Sequence, residues 1–143
     1  MRDLHNQIRI MRSISPVAVG TTGTGKTGTI IDRKDFDSVE AEFSYGTITA
    51  TNAVITATLL HGDATGAMTS VADADLIGTE LLASIPAGTP RTSGSNKNVT
   101  KRLGYIGLKR YVQAKIVSTI TAGPPVGANI LLGMPETAPV VNP

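Results

Sequence analysis

The sequence predicts an all-β sandwich, and three observations carry that reading. Thr, Val and Ile supply 43 of the 143 residues (19, 11 and 13), and such branched side chains fit a pleated surface better than a helix. Gly and Pro add 23 more, the punctuation of tight turns. Apolar and polar residues alternate with a period of two in several short segments, whereas a single segment has a fair claim to helical spacing.

Taken in order, Ile8 and Ile10 alternate with Arg9 and Met11, an extended start, and Pro16 limits the next stretch to an edge or a strand start. Gly20 to Gly28 reads as a loop, and Thr29 to Arg33 as a short strand before the charged turn Arg33-Lys34-Asp35. Asp37 to Tyr45 alternates most clearly: Val39, Ala41, Phe43 and Tyr45 against Ser38, Glu40, Glu42 and Ser44, a half-buried strand with a wet acidic face. Gly46 breaks it. Ala53 to Leu60 is apolar on both faces, which predicts a central strand.

Ser70 to Ala83 is the segment with helical spacing. Ser70 followed by Asp73 resembles an N-cap, Leu76, Ile77, Glu80 and Leu81 share a face, and Gly78 counts against it. One short helix or an irregular connection is expected there. Residues 86–98 form a polar surface loop. Thr100 to Ile106 and Lys109 to Thr119 are read as two strands of a hairpin, Gly123-Pro124-Pro125 as a turn, and Ala128 to Leu132 as the last strand. The total of roughly seven or eight strands at short spacing is that of a sandwich.

One domain is expected, with a core built from Val, Ile, Leu and Ala, since the aromatics are only Phe36, Phe43, Tyr45, Tyr105 and Tyr111. Such a core is thin, which leaves room for association to contribute stability. The boundaries read as an N-terminal arm with the Gly/Thr loop over 1–26, a sandwich domain over 27–134, and an extended Pro-rich tail over 135–143. Cysteine is absent, which excludes disulfides, zinc-thiolate sites and thiol nucleophiles. No apolar run approaches the ~20 residues of a membrane span, and the start lacks a secretory signal, so the expectation is a soluble protein made in the cytoplasm. Residues 1–80 hold 6 basic and 10 acidic side chains, residues 81–143 hold 7 and 1, and opposite poles of this kind suit chain-to-chain contacts as readily as nucleic acid.

The most direct proposal of chemistry is Gly20 to Thr27, G-T-T-G-T-G-K-T, a full match to the phosphate-binding pattern G-x-x-x-x-G-K-[ST]. That pattern needs a helix beginning at Lys26 and Thr27 and an acidic residue closing another buried strand, for which Asp63 is the candidate. Gly28-Thr29-Ile30-Ile31 comes next instead, a glycine and β-branched run that favours a strand. Parallel crossovers of about a dozen residues are also missing. The match reads as a Gly/Thr loop with Lys26 an exposed charge, and a nucleotide hydrolase is the lesser alternative.

Other candidates are weaker. His61 with Asp63 and Asp73 with Asp75 have metal-ligand spacing, yet such clusters are ordinary turn chemistry, and no metal or cofactor is expected. Glu40 and Glu42 share a strand face as solvated or partner-binding charges. His5 is a lone surface histidine. In Lys101-Arg102-Leu103-Gly104-Tyr105-Ile106-Gly107-Leu108-Lys109-Arg110-Tyr111, two Lys-Arg pairs flank glycines and tyrosines, as on β-surfaces that stack bases. A nucleic-acid-binding β-barrel is therefore an alternative, and a hairpin whose cations meet acidic neighbours is the plainer one.

That stretch, K-R-L-G-Y-I-G-L-K-R-Y-V-Q-A-K-I-V, with A-T-L-L-H-G-D upstream, V-A-D-A-D-L-I-G-T between and I-L-L-G-M-P-E-T-A-P at the close, resembles the small capsid-associated decoration or cement proteins of tailed bacteriophages. The resemblance covers roughly residues 27 to 140 and leaves the Gly20 to Thr27 pattern outside. It implies a jelly-roll-like antiparallel β-sandwich with at most one short helix and extended termini. It further implies a homodimer or homotrimer on the outer surface of the virion, bound across the major capsid protein, with no catalysis. Lys101, Arg102, Tyr105, Lys109, Arg110, Pro135 and Pro139 are the residues expected to contact a partner.

Overall fold

In the computed structural model, which describes residues 3–19, 25–93, 97–119 and 124–141, the chain folds into two packed antiparallel sheets. The strands are β1 (Ile8–Ala18), β2 (Lys26–Thr27), β3 (Ile31–Asp32), β4 (Phe36–Tyr45), β5 (Ile55–Gly62), β6 (Thr69–Ser70), β7 (Leu76–Ile77), β8 (Val99–Tyr105), β9 (Tyr111–Ser118) and β10 (Pro125–Pro135). One sheet has the order β1-β10-β4-β8-β7, the other β2-β9-β5-β6 with β3 also on β9. The chain passes from one sheet to the other at β1–β2, β3–β4, β4–β5, β6–β7, β8–β9 and β9–β10, which is jelly-roll connectivity.

The alternation of β4 sets the core. Val39, Ala41, Phe43 and Tyr45 are buried, and facing them from β5 and β9 are Ile55, Ala57, Leu59, Val112, Ala114 and Ile116. Each fully buried Val, Leu, Ile or Phe among these contributes on the order of 1.5–3 kcal/mol of apolar transfer. β10 is buried along Val126, Ala128, Ile130 and Leu132 because it lies between β1 and β4.

Three expectations are corrected. The segment read as an N-terminal arm is incorporated in the sandwich over Ile8–Ala18, where β1 pairs with β10 from Ile8↔Gly133 to Ala18↔Pro125. Thr100–Ile106 and Lys109–Thr119 form no hairpin: β8 pairs with β4 and β7, β9 pairs with β5, β2 and β3, and residues 106–110 cross between the sheets. From Ser70 to Ala83, where only the N-cap is corrected, the chain is an irregular connection, one of the two forms the sequence allows. It holds the end of β6, a 3₁₀ turn at Asp73–Asp75, β7, and one helical turn, α1 (Glu80–Ala83), whose N-cap is Thr79 rather than Ser70.

That helical turn has an evident job. β6 pairs with β5 only at Leu60 and His61, leaving the lower edge of β5 without a strand. Ile85 exchanges both backbone hydrogen bonds with Ile55, Ser84 Oγ accepts from Ala57 N at 2.9 Å, and the Glu80 carboxylate accepts from the Leu59 backbone. The edge is thus satisfied by α1 and the residues after it, which closes it to further pairing.

Candidate functional site

The residues expected to contact a partner fall on three different parts of the sandwich. Lys101 points along the inner side of β8 to α1, where its Nζ donates to Leu82 O at 2.9 Å and Ser84 O at 2.6 Å. It thereby satisfies carbonyls at the helix end that have no intrahelical partner. Burial, with Arg91 nearby, holds its ammonium below the usual lysine range.

Arg102 lies on the opposite face of β8, with 84% of its side chain exposed and its Nε 3.6 Å from Glu40 Oε1. The register places Arg12, Asn129, Glu42 and Arg102 in one row across β1, β10, β4 and β8. Within the row Asn129 Nδ2 donates to Glu42 Oε2 at 2.7 Å, and Ser44 Oγ donates to Glu42 Oε1 at 2.7 Å. Glu40 and Glu42 are therefore held in a polar ladder on the outer face of the sheet. Beside that row an open groove of ≈ 350 Å³ is lined by Ile14, Pro16, Tyr45, Val99, Pro125 and Val126 among others.

Tyr105 and the crossover form the third part. Tyr105 is 3% exposed, so it presents no face on which a base could stack. Its Oη accepts from Lys109 N at 3.0 Å and lies 2.9 Å from His61 Nδ1, and burial pushes the phenol above its usual pKa. Gly107 passes directly over this ring: a Cβ there would come within 2.5 Å of the Tyr105 oxygen, so only glycine allows the approach. The Lys109 ammonium pairs with Asp63, and Arg110 makes a forked pair with Asp32, Nη2 to Oδ2 at 2.7 Å and Nε to Oδ1 at 3.0 Å. The Arg110 hydrogen bonds hold the Asp32 carboxyl below the usual carboxylate range.

The residue that organises this crossover is Arg33, which the sequence marks only as part of a charged turn. Its guanidinium donates to Lys109 O at 2.8 Å, Phe36 O at 3.2 Å and Gly107 O at 3.2 Å, and sits 5.7 Å from the centre of the Tyr105 ring. An arginine at a turn has no sequence mark that separates a solvated charge from a clamp on three carbonyls. The cations of residues 101–110 that read as a nucleic-acid patch are thus mostly committed inside the molecule.

Pro135 closes β10 opposite Phe36, and Pro139 lies on the stretch that folds back, where Val140 N donates to Asn6 O at 3.2 Å and Arg9 Nε to Val141 O at 3.0 Å. His61 and Asp63 separate, one to Tyr105 and the other to Lys109. Among the described residues no three His, Asp or Glu side chains converge as metal ligands would.

Of the phosphate-loop pattern, residues 20–24 lie outside the described residues. Lys26 and Thr27 form β2, antiparallel to Ile116 and Lys115, so no helix begins at them. Among the described residues no helix is long and apolar enough to cross a membrane.

No family model and no curated protein matches the chain. Among solved structures, the VP2 subviral particle of infectious bursal disease virus is similar over 91% of this chain at a TM-score of 0.50 and 11% identity, a likeness of fold. The chain spans 33% of that VP2 chain. The SPBc2 prophage-derived protein YomS is similar at a TM-score of 0.42 and 15% identity over 87% of this chain and 96% of that one. A xylan-binding module, CBM15, is similar at a TM-score of 0.47 and 15% identity over 94% and 95%.

Proposed function

We propose that this chain is a structural virion protein, a jelly-roll β-sandwich that decorates and cements a bacteriophage shell by binding across subunits of the major capsid protein, and that it catalyses no reaction. The supporting observation is an exposed apolar edge. Ile77, Leu81, Leu82 and Ile106 are all more than half exposed, with Leu81 at 75%, and the segment that carries the first three runs along the outside of β8. A monomer leaves these side chains in water, and apolar side chains exposed along one edge are what a protein partner covers.

The resemblance of the sequence to phage decoration proteins supports the same reading, and a likeness of fold to a viral shell protein is compatible with it. The mechanism is multivalent: many weak contacts, repeated by the symmetry of a lattice, together hold neighbouring subunits against internal pressure. Arg102, Pro135 and Pro139 remain available at the surface to such a partner.

Co-sedimentation of the purified chain with assembled phage shells tests the proposal. The chain is expected in the shell pellet, and Leu81→Asp with Leu82→Asp, both at exposed positions, is expected to return it to the supernatant. A folded chain that never pellets with shells overturns the reading.

A further inference from the structure

The charge poles seen along the sequence become poles of the folded molecule. Strands β4, β8 and β10 bring Tyr45, Val99 and Pro125 to one end of the sandwich and Phe36, Tyr105 and Pro135 to the other. The described residues 46–54, 84–93, 97–98, 119 and 124, at the first end, contain no Asp or Glu, while Arg91 and Lys97 lie among them. The apolar groove opens on this side, with exposed Lys97 next to its lining residues Asn98 and Val99, and with exposed Arg12 at the end of the row that borders it. Neither Arg12 nor Lys97 makes an ion pair among the described residues.

The opposite end is acidic once its internal pairs are set aside. Arg110 is paired with Asp32 and Lys109 with Asp63. Asp35, Asp37, Asp73, Asp75 and Glu136 remain outside any ion pair among the described residues, against Arg9, Arg33 and Lys34 as cations that also lack one. Asp35, Asp37 and Glu136 line one shallow depression there together with Arg33, Lys34, Arg110 and Leu108, and Leu108 projects with 91% of its surface exposed.

An apolar groove beside Arg12 and Lys97 at an end rich in cations, and a projecting leucine beside Asp37 and Glu136 at an end where unpaired carboxylates outnumber unpaired cations, are complementary surfaces of the same chain. We propose that copies of this protein associate head to tail, the Leu108–Asp37–Glu136 rim of one seating on the Arg12–Lys97 groove of the next. Such a contact is heterologous. It joins two different patches and so builds rings or open chains, where an isologous dimer would join a patch to itself. This deepens the proposed function by stating how copies meet, yet it concerns the purified chain and needs no shell.

Sedimentation velocity over a range of protein concentrations tests it, at about 0.01 M salt, where the Debye length is roughly 30 Å, and at about 1 M, where it is roughly 3 Å. Concentration-dependent growth is expected at low salt, with association weakened about tenfold or more at high salt, as for rim charges that face their opposites. Arg12→Glu with Lys97→Glu, and separately Asp37→Lys with Glu136→Lys, are each expected to abolish growth. An equimolar mixture of the two variants restores it, because each reversed surface then meets its opposite. All four positions are exposed, and unchanged circular dichroism confirms folding.

A chain that is monomeric at both ionic strengths overturns the inference, as does association indifferent to salt or to both reversals. A monomer that still pellets with shells overturns only the head-to-tail contact. A chain that associates in this way and ignores shells overturns only the function proposed above.

Discussion

Ser13 Oγ occupies the space into which a Cβ on residue 28 would project, 2.3 Å from that position, with the Ser13 carbonyl oxygen 2.6 Å away. Gly28 is therefore a packing requirement. The register of β1 on β10 is irregular on both sides of Ile14, and the irregularity releases Ser13 from the ladder. Its hydroxyl donates to Thr29 O at 2.9 Å and accepts from Ala114 N at 3.1 Å, while Thr29 N donates to Ser13 O at 2.7 Å. One serine thus joins an edge of the first sheet to the second. Gly28→Ala forces backbone apart and is expected to cost about 1–3 kcal/mol, the usual range for overpacking a close contact. Ser13→Ala leaves a buried Ala114 N–H without its partner and is expected to cost about 1–3 kcal/mol. The shift in urea midpoint at constant slope measures both.

Tyr45 fixes α1 to the core from the other direction. Its ring is buried beneath the sandwich end, and its hydroxyl donates to Ala83 O at 2.6 Å. Burial drives the phenol pKa well above the ordinary tyrosine value, so it is a neutral donor around neutral pH. Tyr45→Phe keeps the ring and strands the Ala83 carbonyl, with an expected loss of about 1–3 kcal/mol. The loosening should concentrate in residues 80–85, and hydrogen exchange of the Ala57 and Ile85 amides reports it.

Local pattern and long-range placement were legible to different degrees. The faces of β4 and β9 follow from alternation alone, because a period of two leaves no choice of which side is buried. The crossover at residues 106–110 could not be read in this way. Two strands joined by a short Gly-containing link look identical whether they pair with each other or separate into two sheets. Only Tyr105 opposite Val39 and Tyr111 opposite Gly62 decide it, pairings set by residues far along the chain. The same limit hid the pairing of β1 with β10, which lies at the other end of the chain, and hid the uses of Lys101 and Arg33. Their targets are backbone carbonyls, which carry no sequence signal.

Glu80 makes stability depend on pH. Burial raises its pKa above the ordinary value of 4.5, Asp73 adds to the rise, and the Leu59 backbone hydrogen bond only partly opposes it. Its Oε1 is enclosed without a hydrogen-bond partner. A carboxyl with a raised folded pKa favours the folded state while protonated, so the contribution is fully present below pH 4.5 and is lost as pH rises through the folded value. Glu80→Gln removes the charged form while keeping an acceptor for Leu59. The variant is expected to be the more stable of the two above that window and to lose its advantage below it. Thermal unfolding of both proteins across the acid range, compared pH by pH, cancels the other carboxylates and reads the difference. A difference that is flat with pH counts against this assignment.

Lys26 provides the last test, because the backbone that a phosphate would need is already in use. Gly28 N donates to Ala114 O at 2.9 Å and Thr29 N to Ser13 O at 2.7 Å, so the amides that would open a phosphate-binding helix are already used, one along the edge of the second sheet and one between the sheets. Lys26 itself stands exposed on a two-residue strand opposite Ile116. Freeing those amides for a nucleotide would break the joint that Ser13 makes, and a β-strand offers no positive helix end in exchange. Titration calorimetry with magnesium and ATP or GTP is expected to show no heat of binding, for the wild type and for Lys26→Ala alike. Lys26→Ala should also leave the unfolding midpoint within about 0.5 kcal/mol of wild type, as for other exposed positions. Magnesium-dependent binding that disappears in Lys26→Ala would restore the nucleotide reading, and with it a rearranged strand at residues 26–29.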